Sequence, residues 1–287
     1  MAFRTILIEN RAKLEYSLNT LICRKGDTQV KILLDEIHTI IIDSTQVSFT
    51  AALIVACIAK KIKIIFTDDS HNSTGELIGY NNNFYGYRKI KEQLAFSNEA
   101  KDYLWKKIIF EKIKNQANNL NNQIKKNQLL GYSDEIELGD KTNREGHAAK
   151  VYFNSLFGND FSRDKHCDIN KFLNYGYAII LSTINKEIKA LGYLTELGIH
   201  HIGDSNQFNL SYDFIEPLRP LIDYYVINKI VNNDNFKYEF ANILNRVVKY
   251  NGKDFILVNA IHLYVEDLLN FLKTGDEEKI RFISYEL

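Results

Sequence analysis

The sequence predicts an α+β protein, a small N-terminal β-sandwich-like domain followed by a larger all-α domain. Three observations predict it. The first part of the chain consists of short β-branched or aliphatic runs separated by turn residues. Residues 88–126 are almost free of glycine and proline and carry apolar residues at helical spacing. The chain has only two prolines, Pro217 and Pro220, and they sit three positions apart in the helical part.

Residues 3–8, 13–16, 20–23, 29–34 and 37–42 read as strands. Turn candidates such as Glu9-Asn10-Arg11 and Lys25-Gly26-Asp27 lie between them, a spacing that suggests a small antiparallel sandwich or hairpin array. Residues 49–60 form an apolar stretch of helical length, with Ser48 or Thr50 as the cap. That stretch feeds a further strand at Lys63–Thr67. The polar runs at 68–75 and Asn81-Asn82-Asn83 read as loop. The expected organisation is therefore a β domain over 1–75, a linker over 76–87 and a helical domain over 88–287. Within the latter, Leu104, Ile108, Ile109 and Ile113 form an i, i+4, i+5, i+9 stripe. Further helices are expected at 144–156, 170–191, 214–231, 236–248 and 255–272. The asparagine patches at 118–119, 121–122 and 232–233 suggest no function.

Composition excludes several classes. With 45% hydrophobic and 12% aromatic residues the chain is not disordered. Its three cysteines, Cys23, Cys57 and Cys167, show neither disulfide-framework nor metal-ligand spacing, which fits reduced thiols in the cytoplasm. The longest apolar run, residues 51–59, is about half of the ~20 residues a spanning helix needs, so no membrane association is expected. Zero net charge hides an uneven distribution. Residues 88–126 carry 10 basic and 4 acidic side chains, and residues 127–287 carry 17 and 23. The basic segment reads either as a solvated helix face or as a phosphate-tracking surface, with Arg88, Lys89, Lys106 and Lys107 as nucleic-acid-binding candidates. Tyr103, Trp105 and Phe110 interleave at helical spacing and read as core.

No nucleophile elbow, phosphate-binding glycine loop or HExxH occurs. The histidines single out His200-His201, which follow Gly198-Ile199 and precede a polar loop. Asp213 and Glu216 follow at i, i+3, so one helix face can present both, or they can serve as a helix-capping pair. Pro217 and Pro220 fit a helix start or a kink.

Four blocks in order carry a family resemblance. They are Asn143-Arg144-Glu145-Gly146 at a helix start, the run from Asn170 to Ala178 containing Leu173-Asn174-Tyr175-Gly176-Tyr177, Gly198-Ile199-His200-His201, and the run Asp213-Phe214-Ile215-Glu216-Pro217-Leu218-Arg219-Pro220. Together with the N-terminal strands they resemble the CRISPR-associated spacer-acquisition integrase family, most of all its type II branch. The resemblance implies a metal-dependent DNA endonuclease and integrase, in which the 3′-hydroxyls of a captured fragment attack repeat phosphodiesters. It further implies a divalent metal held by Glu145, His201 and Glu216, with Asp213 and His200 as auxiliary residues. His201 is preferred because it fills the fourth position of the GxxH block. Two carboxylates and one imidazole suit Mg²⁺ or Mn²⁺ better than structural zinc. The implied partners are double-stranded DNA, a second copy of the chain in a homodimer, and a small ferredoxin-like CRISPR-associated protein bridging two dimers. Two other readings stand beside it: a non-catalytic helical adaptor, and a structure-specific repair nuclease outside a CRISPR locus.

Overall fold

A computed structural model describes residues 4–68, 73–77, 79, 86–230 and 236–285. The chain divides into two units, Met1–Asn82 with Lys237–Arg246, and Asn83–Phe236 with Val247–Leu287. The expected class, a strand-rich N-terminal part followed by a helical part, is the one observed.

Among the described residues, the N-terminal segment of the first unit holds eight strands and an α-helix. They run β1 (Arg4–Ile8), β2 (Ala12–Ser17), β3 (Thr20–Lys25), β4 (Thr28–Leu33), β5 (Ile37–Ile42), β6 (Val47–Phe49), α1 (Ala51–Ala59), β7 (Lys63–Thr67) and β8 (Ser73–Leu77). One four-stranded sheet has the order β4-β3-β2-β6, the other β1-β5-β7-β8. Leu14 and Leu21 from the first, Ile40 and Ile64 from the second, and Leu53 and Cys57 from α1 share one core.

The antiparallel expectation fails at the β2–β6 pair of the first sheet and most fully in the second sheet, where β1, β5 and β7 run parallel. The reason is burial. All six residues of β5 are buried, and strands covered on both faces read as continuous apolar runs, as parallel central strands do. Thr50 does cap α1, accepting the Leu53 amide. Residues 73–75, expected as loop, belong to β8. Residues 69–72 and 81–83, most of the expected linker and Asn232-Asn233 lie outside the described residues.

The helical unit comprises α2 (Gly86–Leu94), α3 (Asn98–Asn118), α4 (Gln123–Asp134), α5 (Arg144–Phe157), α6 (Asp168–Ala190), α7 (Asn209–Ile215), α8 (Arg219–Tyr225) and α10 (Leu257–Thr274). Helix α9 (Phe236–Ile243) lies at the junction of the two units' segments. The helical pattern of 88–126 is divided among three helices, because Ser97 and Asn122 supply N-caps inside it. Asn122 thereby gives one asparagine patch a structural role. Residues 247–248, expected as helix, open a hairpin of β9 (Val247–Tyr250) and β10 (Lys253–Ile256). Its turn is Asn251-Gly252, both at positive φ (50° and 73°), the conformation a two-residue hairpin loop requires.

Helix α3 is the axis of this unit. It packs against α4, α5, α7, α8 and α10, and its expected stripe is fully buried at Leu104, Ile108, Ile109 and Ile113. Trp105 is core as expected, whereas Phe110 is exposed and Tyr103 is half-buried. Tyr103 donates to Glu277 at 2.6 Å. No helix among the described residues is long and apolar enough to cross a membrane.

Candidate active site

Glu145 sits in the first turn of α5, where three side-chain acceptors fix the backbone. Asn143, held at φ 52°, accepts the Gly146 amide at 3.1 Å. Asp140 accepts the Arg144 and Glu145 amides at 2.8 and 3.0 Å. These bonds satisfy the donors that a helix start leaves open. The glycine of the block has a steric cause, since a Cβ at Gly146 would stand 2.7 Å from Asn143 Oδ1.

Glu216 sits where the helix expected over 214–231 breaks. Helix α7 ends at Ile215, a 3₁₀ turn spans Glu216–Leu218, and α8 starts at Arg219. Pro217 and Pro220 occupy the first turns of the 3₁₀ segment and α8, where a missing N–H costs nothing. The bend leaves carbonyls without intrahelical partners, and α3 supplies donors. Asn115 donates to Pro217 O at 3.0 Å and Asn119 to Pro220 O at 2.8 Å.

One turn before Asn115 on the same face of α3 lies Lys112, a buried residue not singled out by the sequence reading. Its Nζ lies 2.5 Å from Glu145 Oε1 and also donates to Glu216 Oε2. Arg219 Nε donates to the other oxygen of Glu216 at 2.7 Å. Burial opposes ionisation of Glu216, but Arg219 and Lys112 overcome it and hold the carboxyl well below the ordinary range. Burial likewise opposes the charge on Lys112, and Glu145 and Glu216 restore it.

The histidine block is held by Asp213, which is fully buried. Asp213 Oδ2 accepts the Ile199 and His200 amides at 2.7 and 3.2 Å, and Oδ1 accepts the His201 amide at 3.1 Å. His201 Nδ1 donates to Oδ1 at 2.6 Å. Asp213 therefore does not cap its own helix, one of the two readings of the Asp213/Glu216 spacing. The bond to Asp213 raises the pKa of His201, burial opposes it, and the charges of Asp213, Glu216 and Glu145 add to the rise. With Nδ1 committed, Nε2 is the nitrogen available as a ligand when the ring is neutral. Gly198 is obligatory here, because a Cβ would lie 2.2 Å from His201 O and 2.9 Å from Asp213 Oδ2.

His200 and His201 face differently, as adjacent residues should. His200 lies flat on Trp105 of α3 (centroids 4.1 Å, planes 6° apart), and His201 meets the same indole edge-on at 5.7 Å. A cleft of about 430 Å³ opens beside His201, lined in part by Lys101, Glu196 and Asn209.

A buried polar network backs the site. Asp223 accepts from Tyr152 at 3.0 Å and from Tyr177, and Arg219 lies 4.6 Å over the Tyr177 ring. Burial pushes Asp223 up to about 6, although both tyrosines pull the other way. The asparagines of the 170–178 block secure the preceding loop. Asn170 donates to Ser162 O and Lys165 O, and Asn174 accepts from Arg163 at 2.7 Å.

The sequence-derived site residues are thus partly assembled. Glu145 and Glu216 meet on Lys112, and His201 stands near enough for both carboxylates to shift its titration. Among the described residues, no three His, Cys, Asp or Glu side chains already form a metal-holding group. The basic candidates lie apart in the chain. Arg88 and Lys89 on α2 pair with Glu92 at 3.2 and 3.1 Å. Lys106 and Lys107 on α3 are half-buried, with Lys107 over the Tyr103 ring.

Comparison with known proteins matches residues 5–251 to the family described as CRISPR associated protein Cas1. The chain belongs to the Cas1 family. It is 33% identical over 231 residues to the CRISPR-associated endonuclease Cas1 of Neisseria meningitidis serogroup C (strain 8013), covering 79% of this chain and 76% of that protein. The fold is similar to that of a casposase bound to integration product (TM-score 0.76, 20% identity, 99% of this chain and 94% of that one). It is also similar to part of a Cas6-RT-Cas1–Cas2 complex (TM-score 0.76, 17% identity, 96% of this chain and 35% of that chain). Within the Cas1 family frame, the blocks read from the sequence are the segments that bring Glu145, Glu216 and the Asp213–His201 pair into the helical unit.

Proposed function

We propose that this Cas1-family chain is a metal-dependent DNA endonuclease and integrase that inserts captured DNA fragments as spacers by 3′-hydroxyl attack on repeat phosphodiesters. The observation that carries the reading is the convergence of Glu145 and Glu216 oxygens on one cationic centre, beside a histidine held through Nδ1 by a buried carboxylate. Two hard oxygen donors and one imidazole fit Mg²⁺ or Mn²⁺, and the carboxylate–histidine pairing is how metal-ligating imidazoles are oriented. Glu145, His201 and Glu216 would hold the ion. A divalent ion in such a set supplies Lewis-acid stabilisation at a phosphoryl oxygen and activation of a hydroxyl.

The chain's own residues do the positioning. Asp213 fixes the tautomer and the backbone of the histidine block, and Arg219 keeps Glu216 ionised. Tyr177, anchored on Asp223, supports the Arg219 guanidinium from below. His200, resting on Trp105, lies beside His201 as an auxiliary group.

The relative named as an endonuclease and the casposase bound to integration product support cleavage and strand transfer, with double-stranded DNA as the proposed substrate. The Cas1–Cas2 assembly supports a CRISPR-associated partner protein, proposed here to be small and ferredoxin-like and to bridge two homodimers of this chain. Arg88, Lys89, Lys106 and Lys107 are the proposed backbone contacts. The test uses Glu216→Gln and Glu145→Gln with Mg²⁺ or Mn²⁺ present, on branched DNA for cleavage and on a repeat-bearing plasmid for integration. Both activities should fall to background while the circular dichroism spectrum is retained. Full activity in either variant refutes the ligand assignment.

A further inference from the structure

Lys112 is the one member of the carboxylate cluster that neither a ligand role nor a substrate role explains. It projects from α3, the helix against which most of its unit packs, its neighbours Ile108, Ile109 and Ile113 are fully buried, and it is itself only 7% exposed. A buried lysine is rare unless paired, and this one is paired twice. Its partners are the two glutamates proposed to hold the divalent ion, and they reach it from different elements, α5 and the 3₁₀ turn.

The local charges balance without any metal. Glu145 and Glu216 are matched by Lys112 and Arg219. A divalent ion drawn to the same oxygens would meet an ammonium already there. Like charges a few ångströms apart in a partly desolvated site repel strongly.

We propose that Lys112 is a built-in counter-ion that occupies the cation position between Glu145 and Glu216 and competes with the divalent metal for it. The inference rests on the reading of these glutamates as metal ligands. It has two consequences. The metal-free protein keeps both carboxylates compensated, so the site does not depend on metal to fold. Metal loading requires the ammonium to give up its two contacts, which lowers the intrinsic affinity of the site for the ion.

The test is a titration of the full chain with MnCl₂ alone, without DNA, following loss of the free-ion paramagnetic resonance signal. The chain's single tryptophan, Trp105, lies edge-on to His201 and provides a second readout, quenching of its emission by bound Mn²⁺. Lys112→Gln and Lys112→Met should each bind Mn²⁺ about tenfold more tightly than the unaltered chain, or better, which corresponds to about 1.4 kcal/mol. Both should also gain more thermal stability from added Mn²⁺. Lys112→Gln keeps a hydrogen-bonding group in the buried position, so it covers the case in which Lys112→Met does not fold. Glu216→Gln separates the two levels of the argument. Mn²⁺ binding lost in Glu216→Gln but unchanged or weakened in both Lys112 variants overturns the counter-ion inference alone. Mn²⁺ binding unaffected by Glu216→Gln removes the metal-site reading and the inference with it.

Discussion

Replacing Asp213 by Asn should destabilise the helical unit by about 3–4 kcal/mol while leaving the first unit unaffected. The magnitude follows from four hydrogen bonds that converge on one fully buried carboxylate, three from backbone amides and one from His201 Nδ1. Asparagine keeps one carbonyl oxygen and turns an NH₂ group toward the remaining donors. Two donors thereby lose their acceptor, at about 1–2 kcal/mol each, and the others lose the assistance of a full negative charge. There is little room to relax, because at Gly198 even a Cβ would lie within 2.9 Å of Asp213 Oδ2. Urea unfolding followed through Trp105 emission is the assay, since that indole lies in the helical unit and stacks on His200. The transition midpoint should fall with its slope unchanged, and emission of the folded variant should differ as the His200 stack loosens. A loss below about 1 kcal/mol, with unaltered emission, would refute the idea that Asp213 clamps the histidine block.

Two further outcomes follow from the geometry. Gly198→Ala should cost more than about 3 kcal/mol, because the new Cβ would meet the His201 carbonyl, which is backbone and cannot swing aside; equilibrium unfolding checks this, and a near-neutral result would contradict the packing of the loop. His262, half-exposed on α10, donates to Glu187 at 2.7 Å, and that bond raises its pKa against the opposing effect of burial. Its stabilisation is fully present below the unfolded value of about 6.5 and is lost as pH rises through the raised folded value. His262→Gln should therefore lower the melting temperature at about pH 5.5 and have no effect near pH 9, with a ceiling of about 1 kcal/mol set by solvent screening; an equal effect at both pH values would exclude the ion pair as its source.

Much of the site was legible in the residues, for reasons the coordinates make explicit. Gly198 marks a place where a side chain would strike the His201 carbonyl, a steric requirement of its block, whereas a side chain at Gly146 would displace the Asn143 cap. Pro217 and Pro220 mark the break that puts Glu216 in a turn instead of a continuous helix. Lys112, Asn115 and Asn119 were missed although they recur at i, i+3 and i+7, a polar stripe along a helix that also carries an apolar one. Their role depends on which segment packs against that stripe, and periodicity does not name the segment. The Asn251-Gly252 turn was a local signal that an apolar, helix-like run next to it obscured.

The order of residues along the chain was enough for the class, the two-part organisation into strands and then helices, and the family to which the chain belongs. Those are properties of local pattern: alternation, helical period, caps, and residues excluded by sterics. Strand direction in the β1-β5-β7-β8 sheet and the meeting of Glu145, Glu216 and Lys112 came from folding. Each joins residues far apart in sequence, and Lys112 reaches Glu216 across 104 positions. Burial then changed what those residues are. A lysine counted toward a basic surface became the internal counter-charge of two glutamates, so part of the basic excess of residues 88–126 is neutralised inside the helical unit by acids from the acidic remainder of the chain.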